Sequence, residues 1–212
     1  MLLSVSTLRR SSAWLALATA MALAWWFLVA SEAAMSSMRG EGIIMQMMWA
    51  MMAPGEPLAY WVSASVMWAV MMVAMMIPAA APMLSVYRQI YRGPRAEIAA
   101  LMFACGYLAS WTLFSLAAAG LQWLLHSRGV LHGHLLETGA EITAWLLIAT
   151  GTYQLTPFKE ACLARCRSPI GYFMGHWREG PAGGWWLGWR HGLFCIGCCW
   201  MLMLLMFAGG NQ

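Results

Sequence analysis

Five long stretches of this sequence carry almost no charge: residues 11–31, 57–88, 98–128, 142–158 and 192–212. A helix needs about 20 apolar residues at 1.5 Å each to cross the hydrocarbon of a bilayer. The stretches therefore predict an all-α, polytopic membrane bundle of five transmembrane helices, near 13–30, 58–80, 98–122, 141–157 and 187–208, within one membrane domain over 1–212. Composition agrees, since 62% of the residues are hydrophobic and 9% charged. Soluble domains lie near 45–50% and 25%, so a soluble enzyme, a nucleic-acid binder and a disordered chain are all disfavoured.

The charges that remain alternate from loop to loop. Arg9, Arg10, Arg88, Arg92, Arg95, Lys159, Arg165, Arg167, Arg178 and Arg190 fall on one side of the predicted bundle, and only Arg39 and Arg128 on the other. By the positive-inside rule the N-terminus is expected to be cytoplasmic and the C-terminus external. The formal charge of +4 thus marks topology and gives no case for a nucleic-acid partner. Trp25, Trp26, Trp61, Trp123 and Trp145 are expected at the outer interface, and Trp14, Trp177, Trp185, Trp186 and Trp189 at the inner one. The apolar run at 13–30 exceeds the 7–15 residues of a usual signal core, so the first helix is expected to be retained. The run at 43–53, ahead of Pro54-Gly55-Glu56-Pro57, is too short to span and predicts an interfacial helix in a Met-rich external segment over 31–57.

Two soft-donor motifs stand out. MMWAMMAP at 47–54 recurs as MMVAMMIP at 71–78. On a helix Met71 pairs with Met75 and Met72 with Met76, so four thioethers share adjacent rows. Thioether sulfur selects Cu(I) over hard cations and is neutral in hydrocarbon. Methionine is also flexible core filler, so the stripe alone does not distinguish metal from packing. Cysteine adds weight: Cys195, Cys198 and Cys199 crowd one side of the last helix, Cys162 and Cys166 lie in a basic cytoplasmic loop over 158–184, and Cys105 lies in the third helix. Thiols facing the cytoplasm stay reduced, which argues against a disulfide framework. The expectation is a layer of soft donors on three helices, binding, storing or passing Cu(I), with zinc as the alternative metal. Lesser candidates are His191 and an external group of His132 and His134, with His126, Glu137 and residues 35–52. Partners would be the bilayer and a protein that delivers or receives metal. Two alternatives stand beside this: a membrane thiol oxidoreductase using Cys195-Ile-Gly-Cys198, and a non-catalytic partner subunit. An enzyme is the less favoured class, because the chain lacks a Walker loop, GxSxG and HExxH, and no catalytic residue is assigned.

MVAMMIPAAAPMLSVYR at 72–88, YQLTPFKEACLARCRSP at 153–169 and RHGLFCIGCCW at 190–200 resemble the bacterial predicted metal-binding integral membrane proteins, a domain-of-unknown-function family. The resemblance implies metal handling, with copper the metal implied. It also implies a further apolar helix beyond Gly209-Gly210-Asn211-Gln212.

Overall fold

The computed structural model describes residues 3–37, 42–52, 55–91, 95–132, 137–138 and 140–207. It is all-α, as the charge-free runs predict. The elements are α1 (Leu3–Ser37), α2 (Ile43–Met52), α3 (Pro57–Ile90), α4 (Ala96–Ser127), α5 (Ala140–Gln154), α6 (Pro157–Arg167), α7 (Pro169–His176) and α8 (Gly180–Leu204). A two-residue antiparallel ladder, β1 (Leu131–His132) with β2 (Glu137–Thr138), joins α4 to α5. Pro78 and Pro82 lie inside α3 without stopping it, so α3 runs past the expected end near residue 80. Intramembrane helices tolerate proline where neighbouring elements satisfy the freed backbone groups.

Among the described residues, four helices are long and apolar enough to cross a membrane: α1 over Trp14–Ala34, α3, α4 and α8. The expected fourth span forms a shorter helix. Its helix, α5, has 15 residues, or about 22 Å against a core of about 30 Å. The basic segment over 158–184 is largely helical, with α6, α7 and the start of α8 in it. Pro157 and Pro169 sit in the first turns of α6 and α7, and Thr156 Oγ1 accepts from Lys159 N. Proline is pre-set for a first helical turn and threonine for the cap.

Helix α8 is the hub. It runs parallel to α4, with Gly184 against Ala99, Gly188 against Phe103 and Gly192 against Tyr107 and Ser110. A Cβ at any of the three would overlap α4 atoms, so hydrogen alone lets the helices approach this closely. Helix α3 runs antiparallel to α4: Trp68 Nε1 donates to Gln122 Oε1 at 2.7 Å, and Tyr107 Oη donates to the Met76 carbonyl at 3.2 Å. At the end bearing Arg88, that residue pairs with Glu97 at 2.6 Å, and Tyr87 packs among Tyr91, Phe103, Phe173 and Trp177. These contacts fix three long helices in one register and bring their middle turns together.

Candidate metal centre

Continuing along α8 from the glycine row, Cys195 and Cys199 follow Gly192 at three and seven residues and so stay on the α4-facing side, with Cys198 a quarter-turn away. The Sγ atoms of Cys195, Cys198 and Cys199 all lie within 4.8 Å of one another, and those of Cys198 and Cys199 are 3.2 Å apart. Two thiolates on one metal at about 2.3 Å lie roughly 4 Å apart, so small side-chain rotations make this trio a metal-sized set. Cys195 and Cys198 are buried and Cys199 is half-buried.

The trio does not stand alone. Helix α6 brings Cys166 against Cys195 and Cys198, and places the Cys162 sulfur beside Gly197. Five of the six cysteines therefore meet where α6 crosses α8. From α3, Met72 and Met76 are buried in the same apolar cluster, with Met67, Met71 and Met75 packed against it. Tyr107 is 1% exposed and reaches from α4 to Cys195, with Oη 3.3 Å from Sγ. The Tyr107 hydroxyl thus lies between the Cys195 thiol of α8 and the Met76 carbonyl of α3. One turn earlier, His191 is buried beneath the trio, 3% exposed, with its ring 5.5 Å from that of Tyr107 and 5.8 Å from that of Tyr172; Nδ1 has no protein partner.

Other sequence candidates fall elsewhere. Cys105 is exposed on α4 and stays outside the cluster. His132 is in β1, His134 lies outside the described residues, and His126 packs on Tyr60 with ring centroids 5.5 Å apart. Of the Met-rich segment over 31–57, α2 forms as a short helix that buries Met45 and Met51. Two features of the centre escape the sequence argument, Tyr107 and the glycine row. The GxxxGxxxG spacing of Gly184, Gly188 and Gly192 is a legible signal for close helix approach; Tyr107 carries none.

The class defined by these features is a helical bundle with four helices able to cross a membrane and a soft-donor centre where a broken segment meets a long helix. The family of copper chaperones named PpoB2 matches residues 65–212, and the chain belongs to it. That region takes in most of α3 and all of α4 to α8, hence every cysteine and Met71–Met76. No curated protein and no solved structure matches the chain.

Proposed function

We propose that this protein is a membrane-embedded copper chaperone that holds Cu(I) as cargo among Cys195, Cys198, Cys199 and Cys166 and passes it to an acceptor protein. The observation that carries the proposal is the trio of sulfurs within 4.8 Å, of which Cys195 belongs to, and Cys199 packs against, the cluster that contains Met72 and Met76. No carboxylate joins the trio among the described residues, and an all-sulfur set favours a soft ion. Cu(I) is also singly charged, so one thiolate neutralises it and eases burial. Cys162, beside Gly197, and Met71 and Met75, packed against the same cluster, supply further soft donors. The asymmetry of basic residues supports a membrane orientation with the N-terminus in the cytoplasm, and the family resemblance is consistent with a bacterial inner membrane.

Metal analysis of protein purified in detergent under reducing, anaerobic conditions tests this. The expected result is roughly one Cu(I) per chain, with little or none in the Cys195→Ser/Cys198→Ser/Cys199→Ser variant. Equal copper in the two proteins, or no uptake by the wild type, overturns the proposal.

A further inference from the structure

The first copy of the repeated methionine motif has no part in the Cys centre. It lies on α2, which four residues separate from α3 and which packs on the α3 end opposite Arg88. There Met51 is buried and Met48, one turn earlier on the same side, is half-buried, both in the apolar cluster of Tyr60 and Leu131. At the same end, in the last turn of α4, the His126 ring lies 5.5 Å from that of Tyr60. Tyr60 is 0% exposed, yet its hydroxyl has no partner among the described residues. Neither has His126 Nδ1, which is buried too. Two unmet polar atoms in one corner call for a ligand or a water.

Sulfur leads to this corner from the Cys centre. On α8, Met203 follows Cys195 and Cys199 at i,i+4 steps, and on α3, Met67, Met71 and Met75 keep the same spacing. All six side chains lie in, or pack against, one cluster. Each step is a rise of about 6 Å, so both rows run from the trio toward the α2 end, and neither contains a charged residue. Extending the α4–α8 register, Cys199 is level with about residue 114 of α4, roughly 18 Å short of His126. Thiols therefore stop near mid-bundle, and the donors beyond them are thioether and imidazole.

We infer that this corner is a second soft-metal site, in which His126 Nδ1 and the Met48 and Met51 sulfurs hold Cu(I). The donor set fits that ion: imidazole and thioether both suit copper, and a hard cation finds no carboxylate among the three. With the ring proton on Nε2, the buried Nδ1 offers its lone pair to a metal. Neutral donors leave the ion its charge, and position offsets this. Met51 and His126 each lie in the last turn of a helix, where terminal carbonyls favour a cation. As a station for cargo at the far end of the methionine rows, the corner rests on the chaperone role of the Cys centre; as a binding site it does not.

Cu(I) held only by neutral donors is expected to leave during purification, so the site is read by anaerobic titration of the full chain in detergent, against a competing Cu(I) chelator. The wild type is expected to bind a second equivalent more weakly than the first, because no thiolate offsets the charge of the ion. Met48→Leu/Met51→Leu and, separately, His126→Phe are expected to abolish that equivalent and leave the first in place; phenylalanine keeps a ring against Tyr60. In the Cys195→Ser/Cys198→Ser/Cys199→Ser variant the weak equivalent is expected to remain, with nitrogen and sulfur neighbours in its X-ray absorption spectrum. Adding His126→Phe should remove it. Absence of a second equivalent from the wild type, or its survival in either the methionine or the histidine variant, overturns the site and leaves the corner to a water between Tyr60 and His126. A wild type that lacks the strong equivalent but keeps the weak one overturns the chaperone reading and leaves this site standing, so the two failures are distinguishable.

Discussion

Gly188 has the Phe103 carbonyl where a β-carbon would go, and Gly192 has the Ser110 hydroxyl. Both neighbours belong to α4, one of them to its backbone, so neither site can yield cheaply. Gly188→Ala is expected to cost about 1–3 kcal/mol by overpacking and to lower copper content with it, since Cys195 is two turns along the same face. Gly151→Ala is the matched control: nothing lies within 4 Å of its β-carbon, and the helix gains up to about 1 kcal/mol. Thermal unfolding of the two variants in one detergent reads this directly; equal effects would mean that α8 does not need its close approach to α4. Met72 and Met76 call for a different substitution. Leucine conserves volume, so Met72→Leu/Met76→Leu is expected to cost less than about 1.5 kcal/mol per site. If their sulfurs are donors, the double variant loses preference for Cu(I) over Zn(II) in a competition measurement. If they are only filler, the preference stays as in the wild type.

At the scale of elements, the long helices were legible because lipid solvation imposes a crude rule, about 20 apolar residues without charge. The same rule misjudged residues 158–176. Lys159, Glu160, Arg165 and Arg167 looked like a solvated loop, although Thr156-Pro157 and Ser168-Pro169 carry the local signals of two helix starts. A charge count cannot register that the segment lies against α8, because that placement depends on contacts such as Tyr153 to Gly197 and Tyr172 Oη to the Leu187 carbonyl at 2.7 Å. The candidate site was legible in kind and not in arrangement. The i,i+3 and i,i+4 spacing of Cys195, Cys198 and Cys199 follows from helix geometry alone. That Cys166 joins them and Cys105 does not follows from α6 folding back and from the rotation of α4. Thr156 tests the weight of the local signal. Thr156→Ala removes the cap on Lys159 N and a second bond to the Tyr153 carbonyl, an expected loss of about 1 kcal/mol. Proteolysis or hydrogen exchange should localise the loss to α6, with α3 and α4 unaffected.

For the whole molecule, the arrangement implies that cargo and stability are linked. Helices α3, α4 and α8 are bound to one another by the glycine row, Tyr107 and the Trp68–Gln122 bond. The segment α5–α6–α7 is broken twice and holds to α8 by a few hydrogen bonds, by ring contacts such as Tyr153 on Trp200 and Tyr172 on His191, and by the sulfur cluster itself. A metal shared by Cys166 and the α8 thiols would tie this broken segment to the three long helices. A ligand that binds only the folded state at 100 times its dissociation constant adds about 2.7 kcal/mol. For a chain of this length that corresponds to roughly 5–10 °C in Tm. Anaerobic Cu(I) should therefore raise the Tm of the wild type by that amount and slow amide exchange in α6 more than in α3. Cys166→Ser separates the two effects, since the α8 trio remains: part of the Tm gain is expected to persist while the added protection of α6 disappears. Undiminished protection of α6 in that variant would mean that the ion does not bridge the helices, and that α6 serves the centre only as its wall.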